Sequence, residues 1–269
     1  MKIDLEGKTS LVCASTKGLG FSCAENLASA GSNIILTGRS EERLSIAKSK
    51  ILNKINGNSK NSIVINTIKV DLDDSADIDS LLTKLVNYPP VDILILNSGG
   101  PAPGNFDSFV SVSEFEQKCS AITYAASSLM KHVIPSMRQN KFGRIINISS
   151  IGLAKPITGL AVSNASRAYL GGLMTGIANE NASHGITLNT VLPGIIWTDR
   201  QLMLTENEAK AAGISIDDMT KRKASGIPTG AMGKPDDVGT LVTFLSSEMA
   251  GYINSQFISV DGGLLGLLR

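Results

Sequence analysis

Three side chains near the middle of the chain have the types and spacing to do chemistry on an oxygen atom. Ser163 and Arg167 stand four apart in Ser163-Asn164-Ala165-Ser166-Arg167, so on a helix they share one face. Ser150 closes Asn147-Ile148-Ser149-Ser150, thirteen residues before Ser163. A hydroxyl at Ser150 can hydrogen-bond a carbonyl or an alcohol. Arg167 supplies a fixed positive charge, suited to a developing alkoxide or to a substrate carboxylate. None of the three trades protons near pH 7. A serine hydroxyl is a far weaker acid than a phenol, whose reference pKa is ~10, and a guanidinium stays protonated. A proton must then come from elsewhere. One candidate is Lys155, in the Gly152–Pro156 loop, read against an ordinary surface lysine. Another is a water held by Ser150, Ser163 and Arg167. Ser149 reads as a strand-end serine capping its own backbone. His132 and His184 read as helix-face residues, and Tyr169 points off the Ser163–Arg167 face.

The elements that must position these groups alternate regularly. Apolar runs at Thr9–Ala14, Asn33–Thr37, Ile63–Val70, Val91–Leu96, Arg144–Ile148, Ile186–Leu192 and Gln256–Val260 read as strands. Their near-continuous apolarity predicts parallel strands buried on both faces. Helix-period segments lie between them, near 19–30, 40–54, 75–87, 112–140, 162–183 and 235–246. This βα rhythm predicts an α/β fold, a single Rossmann-type doubly wound parallel sheet of about seven strands over residues 1–269. Asn53–Ser62 reads as a solvated loop. Residues 200–230 are polar, interrupt the rhythm at a strand's carboxyl end, and are a candidate substrate lid.

A second site is readable at the end of the first strand. Cys13-Ala14-Ser15-Thr16-Lys17-Gly18-Leu19-Gly20 leads straight into a helical pattern. Backbone amides of such a turn, with Ser15, Lys17, Gly18, Leu19 and Gly20 around it, can approach a pyrophosphate at the helix N-terminus. The second strand ends in Leu36-Thr37-Gly38-Arg39-Ser40, without the carboxylate that binds a ribose 2′-hydroxyl. Arg39 can instead pair with a 2′-phosphate, which favours NADP over NAD.

Together these motifs resemble the short-chain dehydrogenase/reductase family over essentially the whole chain, in a divergent 3-oxoacyl-(acyl carrier protein) reductase-like branch. The family's glycine-rich turn has glycine where this chain has Ala14, and often a second 2′-phosphate cation where it has Lys17. The resemblance implies further cofactor residues. Asp71 and Leu72 would border the adenine. Asn97, Ser98 and Gly99 would follow the fourth strand. Pro193, Gly194, Ile196 and Thr198 would meet the nicotinamide half, and Arg167 the nicotinamide ribose. It also implies a catalytic tetrad of Asn, Ser, Tyr and Lys. Those positions hold Ile122, Ser150, Ser163 and Arg167, so one of the four is kept. The implied activity is NADP-dependent hydride transfer on a small-molecule carbonyl or alcohol, at an atypical active site. The alternative is a nucleotide-binding sensor or scaffold with little or no turnover. A homo-oligomer, tetramer or dimer, is implied too, with the apolar tail Leu264–Leu268 packed on a neighbour or on its own chain.

Composition excludes other classes. The net charge of +1 gives no broad footprint for nucleic acid. Cys13, Cys23 and Cys119 have no metal-ligand spacing, and so sparse a set suits a reducing compartment. No metal site is expected. Met1–Lys8 carries charges and no apolar signal region, and no apolar run is long enough to span a bilayer. The expectation is a cytoplasmic protein without membrane contact.

Overall fold

The seven apolar runs form seven parallel strands of one sheet. The computed structural model describes residues 3–55, 63–109 and 111–266. The strands are β1 (Thr9–Val12), β2 (Asn33–Gly38), β3 (Ile65–Lys69), β4 (Ile93–Leu96), β5 (Gly143–Ile148), β6 (Ile186–Pro193) and β7 (Phe257–Val260). Their order is β3-β2-β1-β4-β5-β6-β7. The chain winds outward from β1 to β3, returns, and winds the other way from β4 to β7. The two halves diverge between β1 and β4, and a crevice opens there at the carboxyl ends of the strands.

The helices are α1 (Gly18–Ser29), α2 (Glu41–Ile55), α3 (Ser75–Leu85), α4 (Val112–Asn140), α5 (Ala161–Asn181), α6 (Asp199–Ala212), α7 (Ile216–Ser225) and α8 (Pro235–Leu245). Side chains alternate across each strand, so neighbours in sequence enter opposite layers. Val12, Ile34, Leu36 and Ile93 pack with Leu27, Leu44 and Val242 under α1, α2 and α8. Leu11, Ile35 and Leu94 pack with Ile78, Leu129 and Met174 under α3, α4 and α5. Every residue of β1, β4, β5 and β6 is buried, whereas the edge strand β3 has exposed positions. Continuous apolarity in the sequence has this cause.

Residues 200–230 are more regular than their polarity suggests. They hold two helices, α6 and α7, whose ends are set by caps rather than by an apolar stripe. The Thr198 hydroxyl accepts from the Gln201 amide at 3.3 Å, and Gly213 ends α6 at φ +66°. The Ser215 hydroxyl then accepts from the Asp218 amide at 3.0 Å to start α7. Of the stretch Asn53–Ser62, residues 56–62 lie outside the described residues, as do Leu267 and Leu268 of the apolar tail.

The first strand stops two residues earlier than its apolarity predicts. After Val12 the chain turns, and Ala14 takes φ +46°. A Cβ in that left-handed region costs about 1 kcal/mol or more, a cost glycine escapes. Ala14→Gly is therefore expected to raise stability by about 1 kcal/mol, measured as an upward shift of about 2 °C in thermal melting.

Candidate active site

The turn after β1 is held from across the crevice. The Asn97 side-chain amide, at the end of β4, donates to the carbonyls of Cys13 and Ala14, each at 3.3 Å. Gly20 packs directly against this knot. A Cβ there would collide with the Ala14 carbonyl and lie 2.8 Å from Asn97 Nδ2. Gly18 has φ +59° and faces the Thr198 methyl. The N-cap of α1, Lys17, makes no side-chain cap bond. The amides of Gly18, Leu19 and Gly20 thus open the helix with no side-chain partner, a geometry suited to an anion. Ser15 is different. Its amide and hydroxyl both donate to the Thr37 carbonyl, and the hydroxyl accepts from the Thr37 amide. Ser15 therefore ties β1 to β2 and shapes the turn.

The two cations chosen from sequence flank this turn. Arg39 Nη1 lies 3.9 Å from Asp71 Oδ2, and Lys17 Nζ lies 3.8 Å from Asp199 Oδ2. Lys17, Asp199 and Arg39 are largely solvent-exposed and Asp71 is partly so, and both pairs are long, so they are loose and worth little. Ser98 and Gly99 are exposed at the end of β4. On the far side, Gly194 passes under Asp261, where a Cβ would come within 2.8 Å of the Asp261 Cα. Ile196 is buried and bridges to Gly233, and Thr198 caps α6. The loop Pro193–Thr198 is fixed by main-chain contacts and brings Thr198 over Gly18.

At the heart of the crevice, Asn97, Leu72, Ile122, Ser149, Ser163 and Arg167 line one pocket. Arg167 Nε donates to the Ser163 hydroxyl at 3.0 Å, and Nη1 to the Ser149 hydroxyl at 3.4 Å. The cap expected of Ser149 is made by its neighbour. Ser150 does the capping, accepting from the Gly152 amide at 3.1 Å, while Ser149 faces the guanidinium. The peptide after Ser149 starts a tight turn at Ile151–Leu153, and Ser150 is its N-cap. Ile122 reaches the pocket wall, as counting along α4 predicts. Lys155 is exposed and does not line the pocket.

Sequence reasoning missed Arg200. It sits in the first turn of α6 and reaches back across the crevice. Its Nη1 bonds the Gly99 carbonyl and lies 3.4 Å from that of Gly100, and Nη2 lies 3.3 Å from that of Pro101. No motif marks it; its signal was position alone, two residues beyond Thr198. Burial first, and the charge of Arg200 second, push the Arg167 guanidinium down to about 10. Arg167 remains cationic at neutral pH. Burial pushes the Cys13 thiol up to about 12, which rules it out as a nucleophile. Among the described residues, no cluster of His, Cys, Asp and Glu could hold a metal, and no helix is long and apolar enough to cross a membrane.

This geometry coincides with a family match. Residues 13–265 match the model described as enoyl-(acyl carrier protein) reductase. The chain belongs to the short-chain dehydrogenase/reductase family. Within the family it is similar to the 3-oxoacyl-[acyl-carrier-protein] reductase FabG of Rickettsia felis, 32% identical over 98% of this chain and 99% of that protein. It is 30% identical to the NADPH-dependent reductase BacG of Bacillus subtilis, over 95% and 97% of the two chains. The solved structure of YwfH, an NADPH-dependent reductase involved in bacilysin biosynthesis, superposes with a TM-score of 0.88 at 29% identity, covering 97% of this chain and 99% of that one. L-sorbose reductase of Gluconobacter frateurii, at 24% identity and a TM-score of 0.91 with both chains covered in full, shares the fold. The chain is thus a short-chain dehydrogenase/reductase with a FabG-like frame.

Arg167 also has a stability consequence. A cation whose folded pKa lies below its unfolded value destabilises the fold throughout the range where it is charged. That cost is present below about pH 10 and fades as pH rises from there toward the ordinary guanidinium range. Arg167→Met is expected to raise stability at pH 7 by about 1 kcal/mol, measured by urea unfolding, at the expense of function.

Proposed function

We propose that this chain is an NADP-dependent oxidoreductase acting on a small-molecule carbonyl or alcohol, with an active site that departs from the family's tetrad. The observation that carries the reading is the bare main-chain cradle at Gly18–Gly20. Among the described residues its amides have no side-chain partner, and a Cβ at Gly20 would strike its wall. The cradle fits a dinucleotide pyrophosphate, and Arg39 and Lys17 are placed to share its 2′-phosphate. Asp71 and Leu72 would border the adenine. Asn97, Ser98 and Gly99, with Pro193, Gly194, Ile196 and Thr198, would frame the nicotinamide half.

NADPH, when bound, supplies the hydride. The chain's own residues do the rest. Arg167, steadied by Ser163 and Ser149, holds positive charge where the substrate oxygen gains electron density. Ser150 lies at the same strand end and can hydrogen-bond that oxygen once its cap on Gly152 is shared. Lys155 stays in solvent, so the proton is best supplied by a water on Ser163 and Arg167. The same reading makes the protein a cytoplasmic homo-oligomer that does not engage nucleic acid or membranes.

Two measurements test this. Calorimetry should give tighter binding of NADPH than of NADH, and Arg39→Ala should weaken NADPH about tenfold while leaving NADH nearly unchanged. NADPH oxidation should appear on some member of a broad carbonyl panel; silence across the panel, with NADPH bound, would sink the enzymatic reading.

A second reading, a nucleotide-binding sensor or scaffold, is favoured by one observation: Ser163 and Arg167 bond each other and neither trades protons at neutral pH. The double change Ser163→Tyr with Arg167→Lys separates the two. Turnover that appears only in the double variant supports the sensor. Turnover in the natural chain that Arg167→Ala abolishes supports the enzyme.

A further inference from the structure

We infer that the substrate carries a carboxylate close to its reducible carbonyl, gripped by Arg167 and Arg200. This deepens the proposed function and rests on that reading. One guanidinium lines the pocket and a second is held on the main chain of its wall. Arg167 is part of its wall, and Arg200 bonds the main chain of Gly100 and Pro101, which line the same wall. Burial first, and the nearby charge of Arg200 second, lower the affinity of Arg167 for its proton. Among the described residues neither arginine makes an ion pair with an acid.

Two acids stand near enough to matter. Asp199 precedes Arg200, but its carboxylate faces Lys17 at 3.8 Å. Asp73 lines the pocket but is exposed and forms no ion pair with either arginine. The site therefore has surplus positive charge, and Arg167 is partly desolvated. An anion between the arginines relieves the repulsion and gains charge-assisted hydrogen bonds.

Two sources could supply that anion, a substrate carboxylate or a cofactor phosphate. Placement favours the substrate. The phosphate cradle lies at Gly18–Gly20 after β1 and has its own cations in Lys17 and Arg39. Arg167 instead sits on Ser163 and Ser149 at the end of β5, beside Ser150, and Arg200 lies over the end of β4. In the reaction, hydride adds to the carbonyl carbon and a proton from water to its oxygen, while the carboxylate passes through unchanged.

The test pairs charged and neutral substrates. NADPH oxidation is followed with 2-oxobutanoate against methyl 2-oxobutanoate, and with acetoacetate against methyl acetoacetate. The acid of at least one pair should be preferred about tenfold or more in kcat/KM, and Arg200→Gln should remove most of that preference. Equal or better use of the ester in both pairs overturns the inference and leaves the oxidoreductase reading standing. So does an acid preference that survives Arg200→Gln. If Arg200→Gln instead weakens NADPH tenfold with the preference intact, the arginine serves the cofactor phosphate and the inference fails.

If none of these four compounds is reduced although NADPH binds, the oxidoreductase reading is decided on the broad carbonyl panel. Titrating oxamate into the NADPH-saturated protein then decides the anion site separately. Binding that Arg200→Gln weakens about tenfold supports it, and no binding to the natural chain overturns it.

Discussion

The pair of hydrogen bonds from the Asn97 amide to the Cys13 and Ala14 carbonyls is the constraint on which the crevice depends. It joins the two halves of the sheet where their winding diverges, and so fixes how tightly the chain turns after β1. A tight turn brings α1 in with its N-terminus aimed at the opening. It also forces Ala14 into a left-handed conformation and leaves no volume for a side chain at Gly20. Cradle, strain and close packing are three views of one geometric requirement.

Charge is organised around this knot in two separate zones. Lys17 and Arg39 stand in solvent on the β1–β2 side, loosely paired with acids that a phosphate can replace at little cost. Arg167 and Arg200 stand on the β4–β5 side, where hydroxyls and main-chain carbonyls hold them and, among the described residues, neither forms an ion pair with a carboxylate.

Much of this was legible in the sequence because it rests on periodicity and on glycine. The seven strands follow from apolar runs that are buried on both faces, and the cradle from Gly18 and Gly20 just past the first of them. Ile122 and Arg167, which the family resemblance put at two positions of its tetrad, both line the pocket. What failed to show has physical reasons too. Helices α6 and α7 are defined by capping hydroxyls at Thr198 and Ser215, which period-based reading overlooks in a polar stretch. The contact of Ser149 with Arg167 did not show either, because adjacent serines at a strand end carry no signal of which hydroxyl meets the guanidinium. Arg200 acts across a hundred residues of chain on atoms that carry no residue identity.

That last property has a wider consequence. Arg200 grips the carbonyls of residues 99, 100 and 101, and the cradle offers amides. Both are recognition by main chain, which every amino acid possesses. Positions 98 and 99 are thus free to change side chain without loosening the grip, whereas Gly100, at φ +69° with Arg200 Nη1 where a Cβ would go, is not. A scaffold that holds its ligands this way is decoupled from most of its own side chains. Its reactive positions can drift to new chemistry while the geometry that presents the substrate persists.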